Sequence, residues 1–533
     1  MSLLHRPLLI VALLLALAGC AGLPSQVQRP VSSAAAPEAV ATTTLARIAA
    51  DSAPSQADGQ SGLRLLPDGD QAFDARITLA RSAEKTIDAQ YYLIASDTTG
   101  LQFLRELRDA AARGVRVRLL VDDLYAVGQD ELFAGLASHP NVEVRLFNPL
   151  PVREGSFASR IVFSLHQVSR INRRMHNKLF VVDNSFAIAG GRNIADEYFG
   201  RAEPANFIDM DVLVSGAAVQ QMSSAFDAYW NSEHVYPVQS LVGSAPAHKA
   251  ATPERFEAQV AAVAPVAPLT SNDSLGQAPV ATQIAAGRVT QSAGTVRVLA
   301  DAPSKIESTD GSDGAVMLAH LELIRSAQSE VLIASPYFVP GERGVAAMQQ
   351  AVDRQVRLSV MTNSLATTDE PLVHYGYAKY RQAMVKMGAS VYELMPGAQS
   401  QARDADESSS GSSGYGASGL HGSLGRLHAK VAVIDQQHLY IGSMNMDRRS
   451  AHSNTEVGLI IDSTDLARDV TRLLQREQAP RSYRLQWAAA DQRIEWVGAQ
   501  PGGERVFKSE PGAAWNGHLT VRAVGLLVGE EML

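Results

Sequence analysis

The feature that most constrains this chain is a pattern it carries twice. His176-Asn-Lys178-Leu-Phe-Val-Val-Asp183 is followed by Gly190 and Asn193, and His428-Ala-Lys430-Val-Ala-Val-Ile-Asp435 is followed by Gly442 and Asn445. Both copies read His-x-Lys-x4-Asp-x6-Gly-x2-Asn, so five polar or glycine positions keep their spacing around an apolar run. Such a repeat predicts an internal duplication. On an extended segment, residues two apart share a face, so each copy presents an imidazole and an ammonium group side by side. The apolar run behind them reads as a buried strand.

Brought together, two copies make a pocket with two imidazoles and two ammonium groups. Its charge suits a phosphate, and its imidazoles exchange protons near neutral pH. One His is able to attack phosphorus and form a phosphohistidine, while the other protonates the leaving oxygen and later deprotonates the incoming alcohol or water. Lys178, Lys430, Asn193 and Asn445 are expected to hold the phosphate and stabilise charge on its equatorial oxygens, so neither a metal nor a cofactor is expected. Asp183 and Asp435 complete the motif. By parity they lie across the strand from Lys178 and Lys430, and they are expected to fix the scaffold rather than react.

With 533 residues, 46% hydrophobic and 19% charged, the chain is long enough for two substantial cores. A net charge of −8 supplies no global basic field, so anion binding must be local and nucleic acid is not an expected partner. Predicted helices over 73–83 and 101–113 alternate with predicted strands over 86–94, 115–123 and 141–149. The order returns with strands at 295–299, 331–338 and 356–361 and helices at 316–326 and 345–355. The expected class is a mixed α/β sandwich of two duplicated domains, each a mixed β-sheet flanked by helices, sharing one active site at their interface.

The termini and connections divide the chain further. Residues 1–19 read as an export signal, 20–61 as a flexible tether, 62–240 as the first domain, 241–293 as an Ala/Pro-rich linker, 294–480 as the second domain and 481–533 as a C-terminal extension. The segment 400–420 reads as a mobile Gly/Ser-rich loop near the pocket mouth. Arg170, Arg173 and Arg174 form a basic run directly before His176, which places them as candidates beside the phosphate. His374, Tyr375, Tyr377 and Tyr380 are expected on a helix, with packing favoured over a lipid-facing aromatic rim. Cys20 is the sole cysteine, which excludes an internal disulfide.

These residues resemble known families. Leu17-Ala-Gly-Cys20 after a short apolar run resembles a bacterial lipoprotein signal, which implies a lipidated Cys20. The body would then sit outside the cytoplasm on a membrane, with Ala21 favouring the outer one. The doubled motif resembles the phospholipase D superfamily. At finer grain Asp88-Ala-Gln90-Tyr91-Tyr92, Asp122-Asp123, Phe147-Asn-Pro149, Asn172-Arg-Arg-Met-His176, Gly190-Gly-Arg-Asn193, Ser335-Pro-Tyr-Phe-Val-Pro-Gly341 and Gly442-Ser-Met-Asn-Met-Asp447-Arg448-Arg-Ser450 are similar to bacterial cardiolipin synthases of the C type. That resemblance implies a phosphatidyltransferase acting on phosphatidylglycerol with a second phospholipid such as phosphatidylethanolamine. It also implies His176 as nucleophile, His428 as acid and then base, and a histidine-orienting acid in each half. Glu456 fills that place in the second copy; in the first, Asp209 is preferred over Asp211 for the Val-rich strand that follows. A hydrolytic phospholipase D shares every motif, and an exported nuclease is the remoter alternative.

Overall fold

The computed structural model describes residues 23–24, 26–53, 59–153, 159–160, 164, 167–203, 205–242, 253–308, 311–396, 424–500 and 503–512. The first half contributes β1 (Ser61–Leu66), β2 (Thr86–Tyr91), β3 (Arg116–Asp122), β4 (Val142–Phe147), β5 (Leu179–Val182), β6 (Phe186–Gly190), β7 (Ala205–Ile208), β8 (Asp211–Gly216) and β9 (Val235–Pro237). The second contributes β10 (Ser292–Ala300), β11 (Glu330–Ala334), β12 (Arg357–Asn363), β13 (Ser390–Leu394), β14 (Leu424–Leu427), β15 (Val431–Ile434), β16 (His438–Gly442), β17 (Val457–Asp462), β18 (Ser482–Ala488), β19 (Arg493–Gln500) and β20 (Gly503–Phe507).

The duplication extends to strand order. The first sheet runs β1-β8-β6-β5-β2-β3-β4-β9. The second runs β10-β17-β16-β15-β11-β12-β13-β18, with β19 and β20 added at its outer edge. β1 pairs antiparallel with β10, so the two sheets join edge to edge. Within each sheet the parallel strands are the fifth to seventh in that order, β2-β3-β4 and β11-β12-β13. Parallel neighbours need a crossover, and helices Thr98–Ala112, Asp130–Leu136, Gly341–Asp353 and Pro371–Met387 supply it. β5 and β15, which follow the motif lysines, are buried at every residue. That explains their unbroken apolar runs, since a strand covered on both faces shows no alternation.

Three apolar clusters fill the molecule. One lies under the helices of the first half and one under those of the second. The third joins the halves: Leu63, Leu120, Met175 and Trp230 share it with Val296, Leu332, Leu427 and Val431. The interface is thus a core in its own right. Two parallel backbone contacts cross it. β7 pairs with β14, and Met175 bridges to Thr455. The residues leading into each motif His are therefore held by the opposite half, with His176 N donating to Thr455 O at 2.9 Å and His428 N to Ile208 O at 2.8 Å.

Two expected connections are corrected. Part of the 20–61 tether is strapped to the first half: Arg29 Nε donates to Val235 O at 2.6 Å, Arg145 Nη2 to Pro30 O at 2.6 Å and Arg118 Nη1 to Ser32 O at 3.0 Å. Helix Thr44–Ser52, capped by the Thr43 hydroxyl, buries Leu45 and Ile48 in the first core. Part of the 241–293 linker does likewise, through Phe256, Val260, Val280 and Val289. Its Asp273 pairs with buried Arg64 at 3.3 Å. Both stretches are rich in alanine and poor in large apolar residues, but a few anchors at helical spacing suffice once a partner surface exists. β18, β19 and β20, from the expected C-terminal extension, continue the second sheet, where Trp496 Nε1 donates to Glu393 at 2.8 Å. Residues 1–19, Cys20, Ala21 and the 400–420 loop lie outside the described residues. Among the described residues no helix is long and apolar enough to cross a membrane.

The packed strap gives a test. Leu45, fully buried, should cost about 2–4 kcal/mol in urea unfolding when changed to Ala. Val31→Ala, at a side chain 83% exposed in the same stretch, should stay within about 0.5 kcal/mol. Equal effects at both positions would mean that the segment does not pack.

Candidate active site

The two motifs meet where the crossing contacts bring them. Each imidazole is bonded to a carboxylate from the other half. His176 Nδ1 lies 2.9 Å from Glu456 Oε2, and His428 Nδ1 lies 2.6 Å from Asp209 Oδ2. The reason is local. Asp209 directly follows β7 and Glu456 directly follows Thr455, the two segments paired with the residues before His428 and His176. A backbone bridge to the opposite half carries the acid with it. A carboxylate at Nδ1 fixes the Nδ1–H tautomer by its need for a donor and leaves the Nε2 lone pair for chemistry.

The acids are themselves held. Ser450 Oγ donates to Glu456 Oε1 at 2.8 Å, the Ser443 hydroxyl donates to the other oxygen, and Glu456 N donates to Asp301 at 3.1 Å. Beside Asp209, a Cβ on Gly191 would stand 2.1 Å from Oδ1, so the second glycine of the motif leaves room for the acid. Asp211, the acid passed over, is buried in ion pairs with Arg76 and Arg192.

The lysines complete the pocket. Lys178 Nζ and Lys430 Nζ each donate to the backbone carbonyl of the His two residues before them, at 2.6 Å in both halves. Lys430 Nζ also stands 2.9 and 3.1 Å from the two ring nitrogens of His428. Asn193 lies beside the pocket, with its Nδ2 donating to Tyr198 OH at 2.9 Å. Asn445 is buried, and its Oδ1 has no partner among the described residues. Aromatic rings wall the imidazoles: Tyr92 at 5.0 Å from His176, and Tyr198 and Phe207 at 5.0 and 4.7 Å from His428.

Burial sets the protonation. Desolvation pushes both imidazoles down to about 4, with Lys178 adding to it at His176 and Lys430 at His428. Both are therefore neutral at rest, as a nitrogen nucleophile requires. Desolvation also pushes Lys178 down to about 7 and Lys430 to about 8, against the pull of Glu456 and Asp209. Burial alone would raise Asp209 and Glu456; the contacts of His428 and Lys430 with one, and of His176 and Lys178 with the other, hold both below the usual carboxylate range. The pocket is short of positive charge until an anion enters. A phosphodiester would draw protons onto the lysines and onto one imidazole, giving the acid that a leaving alkoxide needs.

Other candidates lie elsewhere. Asp183 accepts from the amides of Glu84, Lys85 and Thr86 at 2.8–2.9 Å, and Asp435 from those of Gln328, Ser329 and Glu330 at 2.7–2.9 Å. Neither carboxylate is bonded to an imidazole; each pins the start of β2 or β11. The basic run is consumed by structure. Arg174 pairs with Asp122 at 2.9 Å, Arg173 donates to the carbonyls of Ile306 and Ser308, and Arg170 donates to Pro149 O. His374 is buried against Glu510 at 2.6 Å. Ser443 and Ser450 lie in a stretch that carries the resemblance but were given no role from sequence, and Asn363 was not singled out. Asn363 Nδ2 donates to Leu427 O at 2.9 Å, clamping the end of β12 to the residue before His428.

Residues 77–230 and 320–477 match the family described as cardiolipin synthase, PLD-like domain. The chain is 34% identical over 482 residues to cardiolipin synthase C of Escherichia coli, covering 90% of this chain and 98% of that protein. It is 27% identical to cardiolipin synthase A of Pseudomonas fluorescens over 80% of this chain and 72% of that one. The crystal structure of phosphatidylserine synthase from Haemophilus influenzae superposes with a TM-score of 0.54 at 14% identity, over 90% of this chain and 96% of that chain, a likeness of fold.

The geometry separates two kinds of acid. Asp209→Asn and Glu456→Gln should each lower turnover roughly 10²- to 10³-fold at near-unchanged melting temperature. Asp183→Ala should instead cost about 2–3 kcal/mol of stability, with turnover per folded molecule kept within about tenfold. The opposite assignment of losses would place catalysis at Asp183. The lysines predict a pH dependence of sulfate inhibition. Below about 7 both are cationic and sulfate binds; affinity should fall at least about tenfold between about pH 6 and pH 9 as they lose their protons. A flat inhibition constant over that range would remove the lysines from the anion site.

Proposed function

The chain belongs to the PLD-like cardiolipin synthase family, and from that premise we propose that it is a phosphatidyltransferase making cardiolipin from phosphatidylglycerol and a second phospholipid. The observation that carries the reading is the crossed pair of His–carboxylate contacts, which puts two neutral imidazoles and two lysines in one buried pocket.

His176 Nε2 attacks the phosphorus of the donor. The bond to the headgroup oxygen breaks, and His428 gives that oxygen its proton. A phosphatidyl group then rests on His176. A hydroxyl of phosphatidylglycerol replaces the departed alcohol, loses its proton to His428 and attacks phosphorus, and the P–N bond breaks as the new diester forms. Glu456 holds the attacking ring and balances the positive charge it gains as the P–N bond forms; Asp209 does the same for the imidazolium of His428. Lys178, Lys430 and the Asn193 and Asn445 amides stabilise the charged oxygens around phosphorus.

The substrates live in a bilayer, and a lipidated Cys20 would hold the pocket against one. The protein is accordingly proposed to be exported and anchored at the periplasmic face of a bacterial membrane, the outer membrane being favoured by Ala21.

One experiment tests chemistry and place together. Membrane and soluble fractions from cells making the full chain are incubated with phosphatidylglycerol, without added divalent metal, and the lipids are read by mass spectrometry. Wild type should form cardiolipin in the membrane fraction, His176→Ala should form at least about 10³-fold less, and Cys20→Ser should move the activity to the soluble fraction. Phosphatidic acid in place of cardiolipin would make the protein a hydrolase. Unchanged partition of Cys20→Ser would remove the lipid anchor.

A further inference from the structure

Cardiolipin carries two phosphates joined by one glycerol. The pocket built from His176, His428 and the two lysines holds the phosphate that reacts. The acceptor brings a second, already esterified, three carbons from the attacking hydroxyl. A transferase that prefers this acceptor to water or a simple alcohol needs a cation for that second phosphate at the mouth of the site.

Arg449 occupies such a position. It opens the π-helical turn Arg449–Ser453, whose backbone is locked to the reaction centre from both sides. Ser450 N donates to Asp447 Oδ1 at 2.7 Å, and the Ser450 hydroxyl accepts from Asn445 N at 3.2 Å and donates to Glu456 at 2.8 Å, the acid on His176. The anchor of Arg449 is thus one residue from the His176–Glu456 pair. The side chain is treated differently from the buried arginines around the site, a state it shares with its neighbour Arg448. Arg174, Arg192 and Arg76 are fully buried in ion pairs. Arg449 is half-buried, its Nε has no hydrogen-bond partner, and no carboxylate of the described residues forms an ion pair with it.

Its surroundings mark the mouth. The charge of Arg449 is felt at Tyr92 and Tyr125 and at Glu370. Tyr92 packs on His176 at 5.0 Å and on Tyr125 at 5.2 Å, and Tyr125 is 45% exposed. The rings of Tyr92 and Tyr125 thus link the His176 imidazole to an exposed edge, with the Arg449 guanidinium within electrostatic reach of both. Across it, Asn363 pins the end of β12 to Leu427, and the chain that follows brings Asp369, bonded to Tyr337 OH at 2.8 Å, and Glu370. Among the described residues Arg449 is a cation of this rim with no ion pair to these acids, and a planar fork of donors suits a phosphodiester.

We propose that Arg449 binds the phosphate already present in the acceptor phospholipid, and so selects a phospholipid alcohol over water and small alcohols. The proposal rests on the phosphatidyltransferase reading. It assigns Arg449 to acceptor choice and not to formation of the phosphohistidine.

Competition in one vessel tests it. The full chain is given phosphatidylglycerol in mixed micelles with ethanol, and cardiolipin and phosphatidylethanol are measured together. Both products come from the same phosphohistidine, so their ratio cancels the donor step. Arg449→Gln should lower the ratio of cardiolipin to phosphatidylethanol at least tenfold, and Arg449→Lys should recover part of it. An unchanged ratio, whether total turnover falls or not, overturns the proposal, because it means that Arg449 serves the reacting phosphate or only the fold. If wild type forms neither product while its melting transition is intact, the transferase reading itself fails and the proposal with it.

Discussion

The structure depends on an exchange of acids between its halves. Glu456 reaches His176 and Asp209 reaches His428, and the parallel contacts at Met175–Thr455 and β7–β14 bring them there. Removing either imidazole would leave a buried carboxylate at the interface without its partner, at a cost of several kcal/mol. The interface cluster adds apolar burial to the same surface. Assembly of the fold and assembly of the reaction centre are one event. Neither half is expected to hold a reactive imidazole alone.

Electrostatics then explains why so polar a centre is tolerated inside. Two lysines face two carboxylates, and the imidazoles rest neutral, so the side chains of the pocket carry little net charge. Desolvation weakens the hold of Lys178 and Lys430 on their protons, which makes the resting site responsive to an incoming anion. The donors are fixed before substrate arrives. Little reorganisation remains at the moment of reaction, which is how such a pocket favours a charged transition state.

Much of this was legible in the chain. The doubled spacing located both imidazoles and both lysines, and parity separated Asp183 and Asp435 from them, because a strand has period two. The order of helices and strands suggested the duplicated sheet for the same reason of local periodicity. What spacing did not carry was which acid serves which His. That depends on pairing between segments more than two hundred residues apart, as between Arg174 and Asn454. The basic run before His176 misled for a related reason: Arg174 has a buried acid, Asp122, waiting on a different strand. The tether and linker misled by composition. An alanine- and proline-rich composition hid Leu45, Ile48, Phe256 and Val260, which need only a neighbouring core to order their segments.

Duplication made the scaffold symmetric, but the chemistry is not. Transfer between phospholipids treats one alcohol as leaving group and another as nucleophile at the same phosphorus. The scaffold answers with side chains that differ at matching places. Tyr92 and Tyr337 follow equivalent strands, yet Tyr92 packs on His176 and Tyr125 while Tyr337 bonds Asp369. After the motif asparagines, the first half places the Tyr198 ring over His428, and the second places Ser450 on Glu456 with Arg449 beside it. The buried centre keeps the two-fold, since both imidazoles need the same tautomer and the same carboxylate support. The mouth breaks it, since the molecules that pass through it are different.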